Sequence, residues 1–284
     1  MRAGLGAALL LALAGCTAST PATQGTCDAT LVDSSLVRTL RFASIEMGGT
    51  SDGFDLDDHV SASSDPVGCR HADFASADGR MGIDNEIARL VPLIESQAGG
   101  VTLDSILETA VNDGQLLIGI ELLGVDDPMN DDCVTVRTRP LVGTPSLGTD
   151  GRVEIGQTFD AQPMAEQTLI EGARLVDGVV DVGPAPITLP VAILDARFTL
   201  HIRAGYMHIE RHEDGTWSGR LGGGISIEEM VSIAQGLNIR PELMSTVMAL
   251  LTSHADLRSD PEARSCDEIS ATLLFESVTA FVYD

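Results

Sequence analysis

Residues 150 to 224 of this 284-residue chain fall into short β-branched runs cut by turn signals. This rhythm limits the fold more than any other feature. Asp150-Gly151, Asp177-Gly178 and Gly183-Pro184 mark the turns. A long alternating stretch runs from Leu194 to His212. Glu213-Asp214-Gly215-Thr216 then turns the chain into Trp217 to Leu221, as in a hairpin. Alternation at period two puts one face of a strand in a core and the other in water, as antiparallel sheets do. Leu116 to Val125 is a continuous apolar run that carries Glu121. It is too short to cross a bilayer and reads as a buried strand.

Helical signals bracket this β-rich part. Ile87, Leu90, Val91 and Ile94 recur at helical spacing, with Pro92 placed near an end or a kink. Thr102 or Asp104 can cap a second helix that stops at Asn112-Asp113-Gly114. Ser226 with Glu229 forms a capping box for a helix at about 226–236. Pro241 opens another, at about 240–254. Gly222-Gly223-Gly224 reads as a tight strand-to-helix turn. Ile269 to Val282 alternates with a one-residue slip at Glu276-Ser277, and reads as a bulged strand rather than a helix. The expected fold is α+β: a mainly antiparallel sheet or sandwich flanked by a few helices. A mixed N-terminal part (27–140) and a β-rich part (141–284) are expected to pack together.

The N-terminus carries a different message. Arg2 is followed by the apolar run Leu5 to Leu13, then by Leu13-Ala14-Gly15-Cys16. This tetrapeptide resembles a lipobox, the motif of bacterial lipoprotein precursors. The resemblance implies acylation of Cys16, cleavage before it at the end of a 1–16 signal, and anchoring of the mature protein to a membrane. Thr17 rather than Asp after the cysteine implies sorting to the outer membrane where the host has two membranes. Residues 17–26 are small and polar and read as a tether. The whole chain is similar to exported lipoproteins of GC-rich bacteria.

The formal net charge is -25, and all 17 basic residues are arginine. Phosphate backbones are repelled by such a surface, so nucleic acid is not an expected partner. Metal ions, polycations or neutral surfaces fit better, as would a protein or an envelope polymer. With Cys16 lipidated, Cys27, Cys69, Cys133 and Cys266 remain. In an oxidising compartment these four form two disulfides. Three connectivities are open, and Cys27–Cys69 with Cys133–Cys266 is preferred because it keeps one bridge within the N-terminal part.

The acidic segment from Ser51 to Asn85 is the main candidate for chemistry. Hard cations take six to eight oxygens, best supplied where short acidic side chains alternate with glycines. Asp55, Asp57, Asp78, Asp84 and Asn85, flanked by Gly53, Gly79 and Gly82, are the candidate ligands of a structural calcium ion. The stretch Asp78-Gly79-x-x-Gly82-Ile83-Asp84-Asn85 resembles the calcium loops of type 3 thrombospondin repeats and, more loosely, of dockerins. It lacks their tight D-x-D-x-D-G opening. A weaker acidic group is Asp256, Asp260, Glu262 and Asp267.

His208-Ile209-Glu210-Arg211-His212 places two imidazoles and a carboxylate on one strand face, a candidate transition-metal set. Its alternative is the polar outer face of a hairpin with Met207 and Ile209 in the core. The expected role is a calcium-stabilised, membrane-anchored lipoprotein of structural or binding type. The alternative is an exported hydrolase acting on polysaccharide or another envelope polymer through acidic loop residues. A single tryptophan and 4% aromatic content speak against an aromatic sugar-stacking groove.

Overall fold

The computed structural model describes residues 31–97, 101–193, 196–236, 241–260, 262 and 265–284. The Cys16 signal, the 17–26 tether and Cys27 lie outside them. The chain begins with β1 (Val32–Phe42), helices α1 (Ile87–Gln97) and α2 (Leu103–Asn112), and strands β2 (Ile118–Leu123) and β3 (Asp131–Val142). Next come β4 (Thr158–Ala161), β5 (Thr168–Val176), β6 (Val179–Ile193), β7 (Ala196–Arg211) and β8 (Thr216–Ser226). Helices α3 (Ile227–Gly236) and α4 (Pro241–Ser253) precede β9 (Glu268–Thr279) and β10 (Phe281–Tyr283).

The expected antiparallel pairing holds, but the flanked sheet or sandwich is corrected to a closed barrel. Strands pair in the order β3-β2-β1-β9-β8-β7-β6-β5, and β5 pairs back onto β3. All pairings around this ring are antiparallel. Closure leaves the eight barrel strands without a free edge. The β content dominates, and the helices occur in pairs between β1 and β2 and between β8 and β9. Strand β3 runs across position 140, and β1 closes the barrel against β9. β4 and β10 form a short parallel pair attached to β3.

Register shows why the sequence folds this way. Residues opposite one another in a ladder share a face. Leu175, Val180 and Ile209 form one such series, and Phe275, Trp217, Ile120 and Val136 lie on the same face. All are buried, while Arg174, Glu210 and Glu276, on the opposite face, are exposed. The apolar face therefore points inward, where its own side chains fill the barrel around Trp217. At one end the inward Arg211 pairs with Asp33 of β1.

Helix caps follow the sequence signals. Thr102 Oγ1 accepts from Ser105 N at 3.2 Å, and Ser226 Oγ accepts from Glu229 N at 3.2 Å. Two local expectations are corrected. The bulge lies on β1, between Val37 and Thr39, and β9 keeps an unbroken register with β8. The slip at Glu276-Ser277 reflects a change of covered face. Phe275 points inward, whereas Val278 lies on the outer face opposite Leu36, and both of these are buried.

The second correction concerns Gly222-Gly223-Gly224, which belong to β8 rather than to a turn. Gly222 lies flat under Phe54, where a Cβ would stand 2.4 Å from the ring. A side chain there would lift the acidic segment off the barrel.

Candidate functional site

The segment from Thr50 to Glu86 packs on the outer face of β8 and β9. Phe54 anchors it. Its ring rests on Gly222, stacks on Tyr206 with centroids 5.7 Å apart, and lies 5.2 Å from the Arg220 guanidinium. Three isolated bridges give the segment its shape: Thr50 with Ala75, Phe54 with Asp84, and Phe74 with Ile83. Pairing Phe54 with Asp84 brings Asp55 and Asp57 beside Asp84. Pairing Phe74 with Ile83 brings Asp73 to the same place.

Asp55, Asp57 and Asp84 each offer a carboxylate oxygen within 4.8 Å of the others. Each also has an oxygen fixed by a main-chain N–H. Asp84 Oδ2 accepts from Leu56 N at 2.7 Å. His59 N is shared by Asp55 Oδ1 at 3.2 Å and Asp57 Oδ1 at 3.0 Å. Gly82 has φ +79°, and a Cβ there would lie 2.9 Å from Asp55 Oδ2, so only glycine fits this turn without strain. Among the described residues, no arginine or histidine forms an ion pair with Asp55, Asp57, Asp73 or Asp84.

Burial and neighbouring carboxylates set the electrostatics. Burial, reinforced by Asp57, Asp256 and Asp73, pushes Asp84 up to about 9. Burial also raises Asp57 and Asp73. A buried carboxylate facing other carboxylates favours its proton unless a cation replaces it.

Two of the five expected ligands point elsewhere. Asp78 is exposed, hydrogen-bonds to Ser76 and forms an ion pair with Arg80 at 3.1 Å. Asn85 is buried, donates to Ser51 Oγ at 2.8 Å and accepts from Thr272 N at 3.1 Å. The convergent ligands are thus Asp55 and Asp57 from one stretch and Asp84 from the other.

The other candidates disperse. His208 Nδ1 faces Asp181 at 2.6 Å, and His212 Nε2 faces Ser218 at 2.8 Å, so the two imidazoles do not share a ligand point. Met207 and Ile209 are buried, as the hairpin alternative requires. Asp256 is buried against Ser270, Asp260 accepts from Glu262 N, and Asp267 accepts from Ser259. Burial, with the charge of Glu86 nearby, pushes Asp256 up to about 7.

The disulfide preference is also corrected. Cys69 is bonded to Cys266 with Cα atoms 6.1 Å apart. The acidic segment folds over the barrel wall and meets the loop before β9, so the bridge joins distant sequence rather than the N-terminal part. Cys133 is disulfide-bonded as well.

The structure adds a group that the spacing did not reveal: His71, Glu86 and His254. Glu86 follows Asp84 and Asn85 into α1, and all three are buried. His71 lies two residues past Cys69, while His254 is 183 positions further on. Only knowledge of the Cys69–Cys266 bridge could have paired these regions. No known protein family, curated protein or solved structure matches the chain.

Proposed function

We propose that this protein is a membrane-anchored exported lipoprotein of structural or binding type, with a calcium ion pinning its acidic segment to a β-barrel. The observation that carries the reading is the convergence of Asp55, Asp57 and Asp84 with no basic partner among the described residues. Three carboxylates in one place, one of them buried, repel one another until a divalent cation reverses the sign of the interaction. Calcium suits an all-oxygen set, because it takes carboxylates together with main-chain carbonyls and water. The lipobox-like Leu13-Ala14-Gly15-Cys16 supplies the anchor.

The hydrolase alternative asks for carboxylates beside a cleft. The groove of about 550 Å³ on the barrel wall is lined by Asp52 of the acidic segment and by Asp104, Glu108, Glu210 and Glu276, but by none of the convergent Asp55, Asp57 and Asp84. That separation favours a structural ion. Calorimetric titration of the mature protein with calcium tests the reading. Wild type is expected to bind one equivalent, and Asp84→Asn to bind it at least about tenfold more weakly. Absence of calcium binding to wild type would overturn it.

A further inference from the structure

We infer that His71, Glu86 and His254 form a second metal site, for a zinc-class transition ion, distinct from the all-oxygen cluster. The three side chains come from different parts of the chain and present three atoms within 4.8 Å of one another. His254 Nδ1 is 2.6 Å from Glu86 Oε1, and His71 Nδ1 is 3.3 Å from the same oxygen. Among the described residues, the His71 ring makes no hydrogen bond. Its Nδ1 stands beside Glu86 Oε1 as an ion-pair contact rather than a hydrogen bond, which leaves it available to a further ligand. The two rings lie with centroids 6.0 Å apart and planes tilted by 35°, close enough for one ring nitrogen from each to stand within 4.8 Å of the other.

The surroundings hold the Glu86 carboxylate in place. Glu86 is 1% exposed. Its Oε2 is paired with Arg89, whose guanidinium also donates to Ala72 O at 2.6 Å. That pairing fixes the carboxylate and leaves Oε1 as a single-oxygen ligand. Glu86 N donates to Ser270 Oγ at 2.7 Å, which holds the start of α1 against β9. Outer contacts of this kind orient metal ligands.

Two imidazoles and one carboxylate are a ligand set of zinc centres that keep a fourth position for water. Zinc bonds of about 2.0–2.2 Å in tetrahedral geometry hold ligand atoms about 3.4 Å apart. Glu86 and His254 need to separate by only about an ångström, and Glu86 and His71 are already at that spacing. The His71 and His254 side chains are 22% and 20% exposed, so the fourth position opens to solvent. Nitrogen ligands separate this site from the calcium cluster, because imidazole prefers transition ions to calcium.

The test is zinc titration of the chelator-stripped and dialysed mature protein, with cobalt(II) absorption as a geometric readout. Wild type is expected to take up one equivalent of zinc, and cobalt to give the intense visible bands of a four-coordinate ion. His71→Ala and His254→Gln should each weaken zinc binding by at least about a hundredfold. Asp84→Asn should leave it unchanged, which separates this site from the calcium reading. Metal-free melting curves of both histidine variants check that each is folded. A wild type that takes up no zinc, or folded histidine variants that bind it as wild type does, would overturn the inference.

Discussion

Asp84 accepts the Leu56 main-chain N–H at 2.7 Å across 28 positions of sequence. This one contact ties the Asp55–Asp57 turn to the strand-like end that leads into α1. It also commits a carboxylate to a place where burial opposes its charge.

That commitment has a pH signature. Asp84 is held at about 9 in the folded, metal-free chain, against an ordinary value of 3.8. The folded state therefore binds this proton more tightly than the unfolded state. Its contribution to stability is fully present below about 3.8 and is lost as pH rises toward about 9. Asp256, held at about 7, acts in the same direction over the lower part of that window. In chelator, wild type should lose stability relative to Asp84→Asn as pH rises from about 4 to about 9. Melting temperatures across that range check this, and parallel curves for the two proteins would contradict it.

Glu121 is the other buried charge with a strong consequence. It is 2% exposed and accepts from Arg137 Nε at 2.6 Å and from Arg139 Nη2 at 3.1 Å. Removing one partner of a buried ion pair leaves uncompensated charge and costs about 3–5 kcal/mol. Glu121→Ala should lower stability by about that amount in denaturant melts. Replacing Glu121, Arg137 and Arg139 together with apolar residues should cost less. A loss below about 1 kcal/mol for Glu121→Ala would show that the cluster is solvated.

The Cys69–Cys266 bridge spans 197 positions. In the chain-entropy model a loop of that length stabilises the fold by about 5 kcal/mol. Peptide mapping of the unreduced protein should recover Cys69 linked to Cys266. The Cys69→Ser/Cys266→Ser double variant should unfold at clearly lower denaturant. Recovery of Cys133–Cys266 peptides would contradict the fold of the acidic segment over the barrel wall.

The lipid anchor has its own measurement. Wild type expressed with its N-terminus should partition into detergent, and Cys16→Ala should move to the aqueous phase or accumulate unprocessed. Aqueous partitioning of both would contradict the anchor.

Much of the barrel was legible in the sequence, because alternation and turn chemistry are local. The β7–β8 hairpin, the Ser226 and Thr102 caps and the buried strand around Glu121 all follow from residues within a dozen positions of one another. Closure was not legible. It depends on β5 reaching β3 and β1 reaching β9, and periodicity reports which face of a strand is buried but not its neighbour. The site divided the same way. Asp55, Asp57 and Asp84 stood out as short acids near glycines. Asp78 and Asn85 share that composition, but local partners, Ser76 and Arg80 for one and Ser51 and Thr272 for the other, turn them away from the point that the Phe54–Asp84 bridge creates. His71, Glu86 and His254 were hidden because a long-range disulfide and the barrel wall bring them together.

Calcium at Asp55, Asp57 and Asp84 is expected to stabilise the fold. An ion that binds only the native state stabilises it by about 2.7 kcal/mol at a hundredfold excess over its Kd. For a chain of this size that corresponds to roughly 5–10 °C in Tm. The most direct measurement is thermal melting of the mature wild type and of Asp84→Asn, in chelator and after adding back millimolar calcium. The account predicts a rise of that size for wild type, and little response from Asp84→Asn. Wild-type curves that coincide with and without calcium would contradict it.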